Sequence, residues 1–296
     1  PGVARFMWSA AGWKPQDSVL DPACGTGTFL VEALSQRLEA LQSAGAVSAS
    51  TVREVVKRLH GLDISTFSVT LAQIQVFWHL IEVMKGKTAD EIRTFARSIL
   101  PVLNVFGGWS SLDTMGGSLS HGSGAQTGLA YRIAQVEKQK VRGLVPAGFE
   151  RTAKGAYDLV IMNPPYIRAE RTGTANVGDP YEEVTFKNTD TSIYFIFRAL
   201  RQWLKPGGTL AFIVPIGVTE TAYAGPLRRV LRDYRIKLIA DLEGLGKVTF
   251  RGVKRATIIM VVENAAPSDE DDIELLQLDP SAYVGDSIDF GRASRN

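Results

Sequence analysis

The chain is poor in the residues that most often announce a site. Its one cysteine, Cys24, excludes a disulfide within the 296 residues. The three histidines, His60, His79 and His121, lack the paired spacing of zinc ligands, so they read as structural and no metal is expected. The longest apolar run, near Thr209–Val218, covers about half a bilayer span and is interrupted by Pro215, so no membrane partner is expected. No basic-then-apolar leader opens the chain, which points to a cytoplasmic protein. The net charge of +2 is too small to argue for nucleic acid by itself. The chain begins at Pro1 and is expected to be part of something longer. What is present is an ordinary globular balance, 45% apolar and 22% charged, enough for one large α/β domain.

Strand and helix patterns alternate along most of the sequence. Ser18–Leu20 leads through a glycine turn into an apolar-periodic helix to about Leu41. Ser48–Leu59 reads as a second helix with Ser50 or Thr51 as its cap, and His60–Ile64 as a short strand ending at Asp63. Ser68–Met84 is a long apolar-rich helix and Leu100–Phe106 a third strand. Residues 115–130 are dominated by Gly and Ser and read as a surface insertion, followed by a basic amphipathic helix over Tyr131–Val141. Further strands are expected at Tyr157–Met162, Thr209–Val214, Lys237–Leu242 and Ala256–Val262, with helices at Asp190–Leu204 and Leu227–Tyr234. Together they predict an α/β fold, a doubly wound and mostly parallel sheet with an antiparallel hairpin at one edge. Residues 1–264 form that domain, and the acidic stretch in 265–296 reads as a solvated linker leading out of it.

Two short motifs carry the chemistry. Asp21-Pro22-Ala23-Cys24-Gly25-Thr26-Gly27 is a Gly-x-Gly turn between strand and helix, which lets backbone approach a ligand at the carboxyl end of a sheet. It lacks the Gly-Lys-Ser/Thr of a Walker loop and the third glycine of a dinucleotide fingerprint. A nucleoside with a compact charged tail fits better than a pyrophosphate, and Asp21 would suit an ammonium group. The plainer reading is an ordinary tight turn. Asp63, ending the next strand, can accept both hydroxyls of a ribose, or it can simply start the following helix. The second motif, Asn163-Pro164-Pro165-Tyr166, ends a buried strand. Its two prolines lock the turn, so the Asn163 side-chain oxygen and the Pro164 carbonyl can both accept hydrogen bonds from one amino group. Such bonds draw a conjugated amine towards tetrahedral geometry and free its lone pair. Tyr166 offers an aromatic face to a planar ring. A rigid turn with a core tyrosine is the alternative.

With both motifs in view, the sequence resembles the S-adenosylmethionine-dependent DNA adenine-N6 methyltransferases, in the gamma order of restriction–modification and phage-defence enzymes. The resemblance rests on Asp21–Leu30 and Asn163–Tyr166 and runs from Pro1 to about Asn264. It implies the Rossmann-like class I methyltransferase fold and S-adenosylmethionine as methyl donor. Asp21, Pro22, Ala23, Cys24, Gly25 and Gly27, with Thr28, would hold its methionine part, Asp63 its ribose and Ile64 its adenine. Asn163 also lies beside the cofactor in this family. Pro1–Met7 looks like the tail of the family's N-terminal cofactor segment. Phe250 matches the aromatic that stacks on the flipped adenine opposite Tyr166, or is a core residue of the hairpin. The family's third cofactor contact falls out of register here, on Asp113 or Ser110.

Arg168 and Arg171 follow the tetrapeptide, and Lys247, Arg251, Lys254 and Arg255 surround Phe250, so both groups would rim one mouth and contact DNA phosphates. Lys138, Lys140 and Arg142 read as a solvated helix face. The resemblance implies double-stranded DNA as partner and a recognition domain or subunit outside this chain. Two rivals share parts of the pattern: methylation of a protein glutamine or RNA base, and a non-catalytic DNA-binding subunit that keeps the fold.

Overall fold

The computed structural model describes residues 2–100, 103–107, 155–167, 181–186, 189–245, 256–278, 283–284, 287–288 and 294–295. Among these, nine strands form one sheet in the order β11-β8-β6-β7-β5-β4-β1-β2-β3. The central strands are β1 (Val19–Asp21), β2 (Leu59–Asp63), β3 (Asn104–Gly107), β4 (Tyr157–Met162) and β5 (Leu204–Pro215), all parallel to their neighbours in this group. β6 (Arg235–Asp241) and β7 (Thr257–Glu263) form the antiparallel hairpin, and β7 also runs antiparallel to β5.

The hairpin lies inside the sheet rather than at its edge. β8 (Glu274–Gln277) pairs with β6 in parallel, and β11 (Ser294–Arg295) pairs with β8. The described strands within 265–296 therefore extend the sheet, where the sequence suggested a linker leaving the domain. The acidic stretch is mostly exposed, with Asp271 paired to Arg235, but Leu276 and Leu278 alternate into the core. Their period-two pattern was hidden beneath the charge that precedes it. A two-stranded ribbon, β9 (Tyr283–Val284) with β10 (Ser287–Ile288), lies against the first helix.

Alternation along the strands divides the core. Val19, Leu159, Ile161, Ala211 and Ile213 face one layer, with helices α1 (Gly2–Ala11), α2 (Thr28–Ser43) and α4 (Thr66–Glu82). Leu20, Val160, Met162, Leu210 and Phe212 face the other, with α6 (Thr191–Arg198), α8 (Gly225–Leu231) and the π turn Ala199–Trp203. Each fully buried large side chain contributes about 1.5–3 kcal/mol relative to exposure. α1 takes up most of Pro1–Met7 and buries Phe6, Met7 and Trp8.

The smaller helices show what local chemistry decides. α3 (Ala49–Lys57) starts earlier than a cap at Ser50 or Thr51 would allow. Ser48 is its extended cap, accepting from the Thr51 N–H while Thr51 bonds back to the Ser48 N–H. α5 (Ala89–Ile99) carries the same reciprocal box through Thr88 and Glu91 and docks Phe95 and Ile99. α7 (Gly217–Glu220) is a single turn after β5. The insertion at 115–130 and the Tyr131–Val141 helix lie outside the described residues.

His60 on β2 is half-buried with its ring edge-on to Tyr157, 5.3 Å between centroids. Burial lowers its pKa from 6.5 to about 4, against a smaller opposing pull from the Val19 backbone. The folded state therefore favours the neutral ring. That stability is complete above the unfolded value of 6.5 and is lost progressively as pH falls towards about 4. We expect urea unfolding between pH 7 and pH 4.5 to lose about 2–3 kcal/mol through this residue, and His60→Gln to flatten that part of the slope. An unchanged slope in the variant would show that His60 does not carry it.

Candidate active site

β1 sits between β2 and β4, and the strand order reverses there, running outward to β2 and β3 on one side and to β4 and β5 on the other. A crevice at the carboxyl ends of the strands is the geometric result, and it lies where β1 and β4 end side by side. Both motifs open there: the glycine loop follows Asp21 at the end of β1, and Asn163 follows Met162 at the end of β4.

Asp21 is 1% exposed, and its carboxylate accepts a hydrogen bond from the Ala23 N–H at 3.2 Å. Burial raises its pKa well above the usual carboxylate range, the Ala23 N–H opposes this, and the nearby charge of Asp63 adds to it. An ionised Asp21 is thus costly unless a cation completes it. The loop then folds on itself: Cys24 N–H donates to the Leu62 carbonyl and Gly27 N–H to that of Cys24, both at 2.8 Å. Gly25 and Gly27 take φ of 52° and 90°. A side chain on Gly25 would meet nothing within 4 Å, whereas a Cβ on Gly27 would lie 2.9 Å from that of Ala72 on α4. Gly25 therefore presents bare backbone to open space, and Gly27 allows α2 and α4 to close behind it. Gln75 of α4 donates to the Thr26 carbonyl at 3.0 Å and pins the outer side of the loop.

Asp63 joins the two halves of this cradle. One carboxylate oxygen accepts from Gly25 N–H at 2.9 Å and the other from Ser65 N–H at 2.8 Å. Ser65, not Asp63, caps α4 by accepting from Ser68 N–H. Each Asp63 oxygen keeps a second lone pair. Ile64 beside it is half exposed. Pro22 is buried, Ala23 is half-buried and Thr28 is exposed at the first turn of α2. The Cys24 thiol points inward beside Gly61, and burial with the charges of Asp21 and Asp63 pushes its pKa far up, which fits a packing role.

The tetrapeptide is held from three sides. Asn163 is exposed and Pro164 buried. The Tyr166 hydroxyl lies against two acceptors, the Asn163 side-chain oxygen and the Ile213 carbonyl at the end of β5, the latter at 2.8 Å. Its ring remains 36% exposed, so a face is left to the crevice. Burial of the hydroxyl and the charge of Asp190 raise its pKa. Thr191, the first residue of α6, donates its hydroxyl to the Pro165 carbonyl at 2.7 Å, and its N–H donates to the Ile167 carbonyl. Sequence reasoning assigned no role to Thr191. The signal was there in Asp190-Thr191-Ser192, where Asp190 caps α6 through Ser192 and leaves the Thr191 hydroxyl to the turn.

A profile described as the Eco57I restriction-modification methylase matches residues 57–248. The chain belongs to this family. A second profile, the RMKL-like methyltransferase domain, matches residues 1–78. The Type II methyltransferase M.PaeR7I of Pseudomonas aeruginosa is 32% identical over 93 residues, 30% of this chain and 16% of that protein. The adenine-specific methyltransferase PglX of Streptomyces coelicolor is 26% identical over 158 residues, 50% of this chain and 12% of that protein. The chain thus spans a small part of the length of these curated relatives. Its fold is shared with the EcoKI M protein of a Type I restriction enzyme, at a TM-score of 0.55 and 17% identity, over 93% of this chain and 47% of that one. It is shared also with a Listeria monocytogenes protein assigned to the class I S-adenosylmethionine-dependent methyltransferases, at 0.52 and 20%, over 94% and 65%.

For this Eco57I-family methylase, Asp21–Thr28, Asp63, Ile64 and Asn163–Tyr166 all fall at the carboxyl end of adjacent strands. Asp113, Ser110, Phe250, Arg168, Arg171, Lys247, Arg251, Lys254 and Arg255 lie outside the described residues, as do Lys138, Lys140, Arg142 and His121. Among the described residues, no group of three His, Cys, Asp or Glu could hold a metal, and no helix is long and apolar enough to cross a membrane.

The cradle depends on the bare Gly27. We expect Gly27→Ala to cost about 1–3 kcal/mol in urea unfolding, from its left-handed φ together with the contact on Ala72. An unchanged midpoint would mean that the loop relaxes without α4.

Proposed function

We propose that this chain transfers a methyl group from S-adenosylmethionine to the exocyclic N6 amine of an adenine flipped out of double-stranded DNA, as the modification activity of a restriction–modification or phage-defence system. The observation that carries the reading is the placement of Asn163-Pro164-Pro165-Tyr166 beside the glycine loop, at the reversal point of a class I methyltransferase sheet. Membership of the Eco57I methylase family supports it, as does the adenine specificity in the name of the relative PglX.

The residues present suit the methyl donor. Asp21 is a buried carboxylate whose ionisation lacks a cation, and an amino-acid ammonium would complete it. Asp63 has lone pairs left for ribose hydroxyls, Ile64 offers apolar surface to adenine, and the open space at Gly25 admits the methionine part against backbone. When bound, S-adenosylmethionine supplies an electrophilic methyl group on a sulfonium.

This chain's own contribution is alignment and polarisation. The Asn163 oxygen and the Pro164 carbonyl accept the two amine hydrogens of the base, which turns the nitrogen lone pair out of the ring. The Tyr166 hydroxyl and Thr191 hold that turn rigid, so little reorganisation is needed when the base arrives. The exposed face of Tyr166 holds the ring, with Phe250 opposite. With its lone pair turned out of the ring, the amine nitrogen is left free to take the methyl group that S-adenosylmethionine would supply, and the extra amine proton would leave to solvent, so no strong base is required. Arg168, Arg171, Lys247, Arg251 and Lys254 contact the DNA backbone in this reading. Recognition of the target sequence falls to a domain or subunit outside residues 1–296, in keeping with the small share of the relatives that the chain spans. The protein works in the cytoplasm, where the DNA is.

Methyl-labelled cofactor and long mixed-sequence duplex DNA, digested to nucleosides after reaction, test this reading. Label is expected in N6-methyl-2′-deoxyadenosine, and Asn163→Ala should lower it about 10²–10³-fold or more with cofactor affinity nearly unchanged. Label on a protein glutamine or an RNA base instead would overturn it.

A further inference from the structure

Helix α4 carries two apolar stripes, and among the described residues one of them is packed into the core. Val69, Ala72, Val76 and Leu80 are buried against the sheet and α2. On the opposite side stand Phe67, Leu71, Ile74, Trp78 and Ile81. Phe67 is 73% exposed, Ile74 56% and Trp78 66%, while Leu71 and Ile81 are half-buried. Their spacing of four, three, four and three residues is the seam of a left-handed coiled coil, with Leu71 and Trp78 at a positions and Phe67, Ile74 and Ile81 at d. An ordinary surface helix shows charge on this side. Here no Asp, Glu, Lys or Arg occurs between Asp63 and Glu82.

The order of side-chain sizes says what covers the seam. It reads nearly the same in both directions, aromatic at Phe67, aliphatic at Leu71 and Ile74, aromatic at Trp78. Laid against itself antiparallel about a two-fold axis, the seam places Phe67 of one copy on Trp78 of the other and Leu71 on Ile74. Each contact joins an a position to a d position, the layer pairing of antiparallel coiled coils. A two-fold interface must be self-complementary in this way, and a seam without charge meets its own copy without repulsion.

The exposed apolar surface of the seam is on the order of 400–500 Å² per copy, as large as the largest patch on a typical monomer. Pairing two copies removes about 1,000 Å² in all, the lower limit of specific interfaces. We infer that a second copy of this chain docks on α4, through Phe67, Leu71, Ile74 and Trp78, in a reversible antiparallel dimer. The seam faces away from α2 and the sheet, so this inference does not rest on the proposed reaction.

Sedimentation equilibrium of the 296-residue chain, from about 1 to about 200 µM, reads the association directly. The dimer fraction is expected to rise across this range and to change little between low and high salt, because no charge lines the contact. Ile74→Glu and, separately, Trp78→Lys should each weaken association at least tenfold, and Ile74→Leu should keep it. Both sites face solvent, and a far-ultraviolet dichroism spectrum like that of the parent confirms that each variant is folded. A parent chain monomeric throughout, or a dimer that both charged variants leave intact, would overturn the inference.

Discussion

Ser18 and Asp158 stand 140 residues apart in sequence and hold the lower ends of β1 and β4 together. The Asp158 carboxylate accepts from the Ser18 N–H at 2.8 Å and from its hydroxyl at 2.7 Å, and Lys205 of β5 donates to both carboxylate oxygens. Burial pushes the Asp158 pKa up, but the bonds from Lys205 and Ser18 outweigh it and leave the group below its usual range. Once these three strands are clamped at one end, parallel pairing sets Val19 beside Leu159 and Leu20 beside Val160. The glycine loop and the tetrapeptide must then emerge as neighbours at the other end. The chemistry of the crevice depends on that adjacency.

The two loops are built on opposite principles, and each suits its task. The loop after β1 is a cradle of backbone with one sealed acid beneath it, whose ionisation is unfavourable until a cation arrives. The turn after β4 is rigid before any ligand binds: prolines fix its backbone, and Tyr166 and Thr191 tie it to β5 and α6. An amine polarised by fixed acceptors gains most when those acceptors need not move. Asp63 and Gln75 couple the cradle to α4, so the helix with the second apolar stripe also supports the glycine loop.

Much of this was legible in the sequence because glycine and proline act locally. Gly25, Gly27, Pro164 and Pro165 marked both loops, and the run Tyr157–Met162 gave the bounds of β4 as the structure has them. What escaped depends on distant partners or on competition between neighbours. Leu276 and Leu278 join the sheet only because β6 offers them an edge, so their stretch read as an acidic linker. Ser48 wins the α3 cap over Ser50 and Thr51 because its own backbone is extended there. α4 was recognisable as an apolar-rich helix, but nothing in its pattern alone says which of two apolar faces the sheet takes. Thr191 could be placed at a helix start, while its bond to Pro165 needed the fold.

In the proposed reaction the sealed carboxylate at the end of β1 is kept for the ammonium of an amino-acid-tailed nucleoside. Calorimetric titration of S-adenosylmethionine into the parent chain and Asp21→Asn, with urea unfolding of both at pH 7, tests it most directly. The amide removes the cost of burying charge, so without cofactor the variant should be at least as stable as the parent. It also removes the partner of the ammonium, so its affinity should fall about 10–100-fold. A variant that binds as tightly as the parent would contradict the claim.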